Sequence, residues 1–264
     1  MGRVVDGSSL RNRKRKSSHR KRFDTLDNFG AIHEFEDKAE RLAEIARTYL
    51  ATRKEGKSSL IVAPTHAECR AIADVIRDQQ KKQGLLGAEE YRIARLSKLN
   101  LTESQKRDPI SYQLGQVVEF HRRARGECKS GERWDVAGTV AQGVIALKDG
   151  HTKLLPLGQT GSFELYTSQD IVLATGDAVR ITKNFRVGAR QLRNNELCTV
   201  KAIDGRNIVL NDNRVISYQR PLHLDQGIAV TSHAAQGKTV DEVIVSVPVA
   251  AFSQASQAQF YVSM

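Results

Sequence analysis

Two short triplets in the sequence have the residue types that bind phosphate, Gly56-Lys57-Ser58 and Gly237-Lys238-Thr239. A complete phosphate loop also needs a leading glycine five residues before the second one, and it runs from a strand into a helix so that backbone N–H groups converge on the phosphate. Ala51 and Ser232 stand where that leading glycine belongs. The first triplet, moreover, leads into an apolar run of strand type. We therefore predict that neither triplet is a complete phosphate loop.

The three cysteines, Cys69, Cys128 and Cys198, are far apart in the sequence. None of them forms the close pair that is typical of zinc sites or redox motifs. We expect three separate reduced thiols without a metal.

The first elements along the chain have an α/β pattern. Apolar residues recur at helical spacing over residues 37–53, and the apolar run Leu60–Ala63 is typical of a buried strand. Thr65 and Glu68 have the spacing of a capping box, which predicts a second helix that extends to about Gln80. Strand, capped turn and helix in this order indicate half of a unit from a parallel sheet covered by helices.

The middle of the chain is rich in β-type runs and contains an internal echo. Residues 115–120 are followed by 131–136, and the similar residues 176–181 are followed by 195–200. Each copy predicts a strand, a polar loop and a second strand that a glutamate introduces. Alternating apolar positions favour half-buried antiparallel strands. We expect one or two small β-barrels inserted into the α/β domain.

After Leu224 the α/β pattern returns, with predicted strands at Gly227–Thr231 and Val243–Val247. The sequence therefore predicts four regions. They are a basic tail (1–22), the first part of an α/β domain (23–110), the inserted β-barrel region (111–222) and the return to the α/β domain (223–264).

The net charge of +11 is concentrated at the N-terminus. Residues 1–22 hold nine basic residues and Asp6, which leaves only +3 for the remaining chain. A segment this basic and polar is expected to be disordered. It either grips phosphates non-specifically or is a translated leader without a function, and the sequence leaves both open. Because the sequence has no run of about 18 apolar residues and no apolar segment behind its basic start, we expect a cytoplasmic protein with no membrane role.

Three segments resemble motifs of superfamily 1 helicases, especially the RecD-like helicase part of conjugative relaxases of the MobF/TrwC type. The most specific segment is Val230–Asp241, which is similar to the motif near the end of the second RecA-like domain. Leu60–Glu68 resembles the strand and helix that open this domain, and Gln259–Ser263 resembles the approach to the last motif. The resemblance covers roughly residues 23–264. It implies a RecA-like α/β fold of the P-loop NTPase type, with an inserted barrel similar to Src-homology-3 domains.

The resemblance also implies roles for individual residues. Hydroxyl groups and backbone N–H groups can hold the phosphates of single-stranded DNA without distinguishing bases. The implied DNA contacts are Pro64, Thr65, His66, Thr231, Ser232, His233 and Thr239. Gln236 and Gly237 correspond to the approach to the γ-phosphate of a nucleotide bound between two RecA-like domains, and Lys238 adds a positive charge there.

Several parts of the family pattern have no counterpart in this sequence. They are the first RecA-like domain with its phosphate loop and magnesium carboxylates, the relaxase tyrosine and histidines, and the arginine that would follow Met264. We therefore expect a fragment that hydrolyses no ATP alone and uses ATP and magnesium only in a complete helicase. Its expected partners are single-stranded DNA and the missing first domain. The alternative is a free-standing nucleic-acid-binding module without catalysis.

Overall fold

A computed structural model describes residue 28 and residues 30–248 of the chain. The predictions for the basic tail (1–22) and for Gln259–Ser263 therefore lie outside the described residues. The chain divides into two compact units between Ile45 and Ala46. In the first unit, residues 31–37 are a loop and helix α1 begins at Lys38. This helix ends in the second unit at Lys54, which confirms the predicted helix over residues 37–53.

The other elements described belong to the second unit. The helices are α2 (His66–Lys82), α3 (Glu103–Arg107) and α4 (Ser232–Ala235). The first eight strands are β1 (Ser59–Ala63), β2 (Tyr91–Lys98), β3 (Val117–Phe120), β4 (Arg133–Val140), β5 (Gly143–Lys148), β6 (His151–Leu154), β7 (Phe163–Leu173) and β8 (Ala178–Ile181). The next eight are β9 (Phe185–Val187), β10 (Arg190–Leu192), β11 (Leu197–Asp204), β12 (Asn207–Leu210), β13 (Val215–Ser217), β14 (Leu224–Gln226), β15 (Ala229–Thr231) and β16 (Glu242–Val245).

A three-stranded parallel sheet joins the beginning and the end of this unit, in the order β15–β1–β16. Its apolar core includes Leu60, Val62 and Val230, which explains why both sequence segments are continuous apolar runs. Helix α2 begins where the sequence predicts, because the Thr65 side chain accepts a hydrogen bond from the Glu68 N–H at 3.1 Å. The Glu68 carboxylate accepts a hydrogen bond from Ser246 Oγ, also at 3.1 Å, which ties this helix to the segment behind β16.

Between α2 and β15 the chain forms antiparallel sheets. One has six strands in the order β2–β7–β3–β4–β5–β6, another has five in the order β13–β12–β11–β8–β14, and β9 pairs with β10 in a two-stranded sheet. The long strand β7 pairs with β3 through its first residues and with β2 through residues 166–173. An antiparallel region thus interrupts a parallel sheet, as the sequence predicts.

The internal echo is real in three dimensions. In the first copy, β3 pairs with β4, and Val136 N donates to Gln116 O at 2.7 Å. In the second copy, β8 pairs with β11, and Val200 N donates to Asp177 O at 2.8 Å. The glutamate that introduces the second strand, Glu132 or Glu196, also accepts a hydrogen bond from the N–H three residues earlier in both copies. The two copies therefore share a backbone framework as well as a sequence pattern.

None of the helices among residues 30–248 combines the length and the apolar character that crossing a bilayer requires.

Candidate nucleic-acid interface

The parallel sheet brings together two segments that are about 165 residues apart in the sequence. Ala63 and Thr231 are direct partners in the pairing of β1 with β15. Because these strands are parallel and end together, Pro64-Thr65-His66 and Thr231-Ser232-His233 leave the same edge of the sheet side by side. Carboxyl edges of parallel strands are where α/β proteins commonly bind ligands. Six of the seven residues that the sequence nominates for DNA contacts thus form one group.

The side chains in this group have graded exposure. Pro64, Thr65, Thr231 and Ser232 are half-buried, whereas His66 and His233 are exposed. The Thr65 hydroxyl is engaged by the Glu68 N–H, so this residue is fixed by the helix that it caps. Thr231 is the N-cap of α4, but its side chain makes no capping hydrogen bond to that helix. The Thr231 hydroxyl is therefore not committed to the cap.

In the loop between α4 and β16, most of the nominated residues are exposed, but Lys238 is not. Gln236, Gly237 and Thr239 are exposed. Gly237 has a φ of +75°, a backbone conformation that favours glycine. Lys238 turns toward the five-stranded sheet and donates from Nζ to the Asn195 carbonyl at 2.5 Å. Burial lowers the pKa of Lys238, and the nearby Arg180 charge lowers it further.

Neither Gly-Lys triplet has the structural context of a phosphate loop. Gly56-Lys57-Ser58 lies between α1 and β1, and Lys57 pairs with Glu55 at 2.7 Å. Ser58 donates from both N and Oγ to the Asp241 carboxylate, which joins the loops before β1 and β16. Gly237-Lys238-Thr239 also precedes a strand. Because neither triplet opens a helix, the predicted absence of a complete phosphate loop at these two places is confirmed.

A cleft of about 860 Å³ opens beside the edge that carries His66 and Thr231. One side is formed by α2 and β15, and the other sides are formed by residues of the six-stranded and five-stranded sheets and their loops. The charged lining residues are Arg70, Arg95, Lys98, Arg180, Lys183, Glu164 and Asp225. Five cations against two carboxylates give the lining an excess of positive charge, which attracts a polyanion.

Sequence reasoning nominated none of these five cations. Arg95, Lys98, Arg180 and Lys183 lie on β2, on β8 and in the loop after β8, in runs that contain no known motif. Only the pairing of distant antiparallel strands brings them together. The alternation within β2 and β8 indicates which residues share a sheet face, but it contains no information on which strands become neighbours.

The floor of the cleft is an ionic cluster. Arg95 Nη1 lies 3.0 Å from Asp225 Oδ2, and Arg95 also donates to the Gln169 amide oxygen at 2.9 Å. Arg180 Nη2 lies 3.7 Å from the same Asp225 oxygen, which is an ion contact too long for a hydrogen bond. Arg180 Nη1 donates to Asn195 Oδ1 at 3.0 Å. Burial lowers the pKa of Arg180, an effect that Asp225 opposes and Arg95 reinforces.

The two lysines of the cleft have carboxylate partners, whereas Arg70 donates from Nε to the His66 carbonyl at 3.3 Å. Lys98 lies 3.2 Å from Glu164, which also binds Lys106 at 3.1 Å. Lys183 lies 3.2 Å from the buried Glu119. Among the described lining residues, Tyr166 is the one Phe, Tyr or Trp, and only 4% of it is exposed. The cleft therefore offers cations and hydrogen-bond donors, not a stacking platform for bases.

No family model matches the chain. It is 28% identical over 209 residues to the multifunctional conjugation protein TraI of Escherichia coli, and equally so to TraI of strain K12. The match covers 73% of this chain and 11% of TraI, so the chain spans only a small part of the curated relative. A structure described as two coordinating Pif1 helicases at forked double-stranded DNA aligns with 87% of this chain and 44% of that chain, at 14% identity and a TM-score of 0.35. The Pif1 helicase of Candida albicans aligns with 88% of this chain and 52% of that chain, at 13% identity and a TM-score of 0.24. The chain is thus similar to one region of a conjugation protein.

Proposed function

We propose that this chain is part of the helicase region of a conjugative relaxase and that its basic cleft holds single-stranded DNA. The observation that carries the proposal is the register of β1 with β15, since Pro64-Thr65-His66 then lies beside Thr231-Ser232-His233, and His66 and Thr231 line a cationic cleft. In this proposal the parallel sheet belongs to the second RecA-like domain, and the six-stranded and five-stranded antiparallel sheets are inserted barrels of the Src-homology-3 type. The similarity to TraI supports the proposal.

The chemistry of the cleft favours the sugar–phosphate backbone over the bases. Donor groups such as the Thr231 hydroxyl and the lining cations neutralise phosphate without distinguishing bases. Because Tyr166 is buried, it cannot stack on a base. We therefore expect binding that depends weakly on DNA sequence and strongly on salt.

The nucleotide role of the loop before β16 is a second part of the proposal. Gln236 and Gly237 are exposed, so a first RecA-like domain can approach them, and ATP with magnesium would be bound between the two domains. Thr239 would complete the DNA contacts. In a helicase completed with that first domain and the final motif, Gly237→Val should lower DNA-stimulated ATP hydrolysis at least about tenfold. The physical reason is that valine is strained at the φ of +75° which the loop adopts.

The test of DNA binding is fluorescence anisotropy with a labelled oligothymidylate, measured at several salt concentrations. About three to five phosphate contacts should give a slope of roughly −2 to −3.5 for log affinity against log salt. Thr231→Ala and His66→Ala should each weaken binding about threefold or more. The matched control is Thr152→Ala, at an exposed threonine on β6 that does not line the cleft. Affinity without salt dependence, or variants that match the control, would contradict the proposal.

The basic tail is tested with the same assay. Residues 1–22 have a net charge of +8, so removing them should make the salt slope shallower. An unchanged slope would show that the tail makes no DNA contact. If the completed helicase binds DNA but shows no DNA-stimulated ATP hydrolysis, the non-catalytic binding module becomes the better description of the chain.

A further inference from the structure

The floor of the cleft has two arginines for one carboxylate. The Arg95 and Arg180 side chains are 10% and 11% exposed, and Asp225 between them is 21% exposed. Asp225 is close to Arg95, at 3.0 Å, but 3.7 Å from Arg180. The other partners of the two arginines, Gln169 and Asn195, are neutral amides. Arg180 is therefore largely removed from water while its carboxylate counterion lies beyond hydrogen-bond distance, an arrangement that costs free energy.

Donor groups without partners lie at the same place. Within residues 30–248, Arg180 Nε and Thr182 Oγ1 are buried and have no hydrogen-bond partner. Side chains two residues apart on extended backbone point to the same face, so Arg180 and Thr182 are neighbours along the cleft. Buried polar groups in folded proteins are nearly always satisfied, and an unsatisfied pair in a cleft indicates a missing partner. Gln226 Oε1, an acceptor on the same cleft, also has no partner, but Arg180 Nε and Thr182 Oγ1 can both donate, so the partner of these two groups is an acceptor.

We propose that Arg95, Arg180 and Thr182 form a phosphate-binding site that takes one phosphodiester group of a single DNA strand, with Asp225 as the internal carboxylate that the phosphate displaces from Arg180. This inference rests on the proposed function and adds the group that the floor binds. A planar guanidinium can bind two phosphate oxygens at once, and a threonine hydroxyl supplies a further donor. Asp225 then limits the affinity of the site in the absence of DNA.

The test uses the full chain and a labelled oligothymidylate of about 16 nucleotides. Asp225→Asn removes the competing charge and should tighten binding about threefold to tenfold. Arg180→Gln removes a phosphate contact, so it should weaken binding about tenfold and make the salt slope shallower by about 0.7. The matched controls are Asp204→Asn and Arg206→Gln, which make the same charge changes at an exposed turn outside the cleft. Both effects should disappear on an oligomer of the same length with a neutral methylphosphonate backbone.

The outcomes separate this inference from the function on which it rests. If the unaltered chain binds oligothymidylate but both cleft variants match their controls within twofold, the phosphate site is wrong and the proposed function stands. If the unaltered chain binds no oligothymidylate, both are wrong. Should Arg180→Gln fail to fold, Arg180→Lys keeps the charge without the planar fork and should weaken binding about threefold. An Asp225→Asn variant that binds more weakly than the unaltered chain would also overturn the phosphate site.

Discussion

The two copies of the internal repeat have the same backbone arrangement but carry opposite charges at one corresponding position. In the first copy, Phe120 O accepts a hydrogen bond from Gly131 N at 2.7 Å, and in the second copy Ile181 O accepts one from Asn195 N at the same distance. The second strand of each copy pairs with the next strand along the chain, β4 with β5 and β11 with β12. Both pairings have a register irregularity at the corresponding place, between Val136 and Gly138 in the first copy and between Val200 and Ala202 in the second. A shared bulge is strong evidence for a common framework, since bulges bend and twist a strand in a specific way.

The same framework position has opposite charges in the two copies. Glu119 is the third residue of β3, and Arg180 is the third residue of β8. Glu119 is buried, with His223 Nε2 at 2.5 Å and the Lys183 ammonium group at 3.2 Å. Arg180 lines the cleft beside Asp225. The comparison indicates that the shared backbone places a side chain at the same position in both copies. The residue type then determines whether this side chain forms an internal ion pair, as Glu119 does, or lines a binding cleft, as Arg180 does.

The largest expected effect is on the free energy of unfolding, and it concerns the turn at the start of each copy. Gln116 accepts a hydrogen bond from Gln113 N at 3.0 Å, and the corresponding Asp177 accepts one from Ala174 N at 2.6 Å. Asp177 additionally binds Arg77 through two contacts of 2.7 and 2.8 Å. We expect Asp177→Ala to lower the free energy of unfolding by about 3 kcal/mol, because it breaks a buried ion pair. Gln116→Ala should lower it by about 1 kcal/mol, the contribution of an ordinary hydrogen bond.

Urea unfolding followed by circular dichroism measures both losses. Asp177→Asn is the control, because it retains an acceptor for the turn and loses the charge, and its loss should be intermediate. Equal losses for Asp177→Ala and Gln116→Ala would mean that the Arg77 pair adds nothing to the turn.

The pH dependence of the free energy of unfolding should distinguish the Glu119 position from the Arg180 position, and this effect is smaller. Burial lowers the pKa of His223, and its contact with Glu119 offsets this only in part. Burial raises the pKa of Glu119, but the hydrogen bond with His223 and the charges of His223, Arg133 and Lys183 lower it to about 2. Both pKa values are lower in the folded chain than in the unfolded chain, so both groups make the folded chain less stable as the pH falls. Unfolded histidine binds a proton below about pH 6.5, and unfolded glutamate does so below about pH 4.5, so acid favours the unfolded chain in both windows.

The free energy of unfolding should therefore decline by up to about 1 kcal/mol between pH 7 and pH 5 and decline again below pH 4.5. His223→Gln should flatten the first window, and Glu119→Gln should flatten the second. The guanidinium of Arg180 stays charged throughout this range, so Arg180→Gln should leave both windows unchanged. A profile that His223→Gln does not alter would show that another group titrates there.

The sequence predicted the elements better than their assembly. The α1 helix, the Thr65 cap and the strand pairs of both copies are confirmed, because each depends on local spacing or on a turn. The cleft could not be predicted, since its cations come from β2, β8 and neighbouring loops that only long-range pairing brings together. Thr231 and Pro64-Thr65-His66 were nominated together from the family resemblance, and the β1–β15 register is what makes them neighbours. The domain boundaries and the individual DNA and nucleotide contacts stay predictions.

The smallest effect tests whether the two copies tolerate each other's residues. The loop before the second strand has Gly131 at a φ of +86° in the first copy and Asn195 at +65° in the second. Asparagine adopts this left-handed region at lower cost than other residues with a side chain, and a side chain at position 131 would meet open space. Gly131→Asn should therefore lower the free energy of unfolding by less than about 1 kcal/mol, whereas Gly131→Val should lower it by about 2 kcal/mol, because a β-branched side chain is strained at positive φ. The measurement is the midpoint of urea unfolding at a constant slope. Equal losses for asparagine and valine would mean that the first loop requires glycine for a reason that the second copy does not share, and the common framework would then end before this loop.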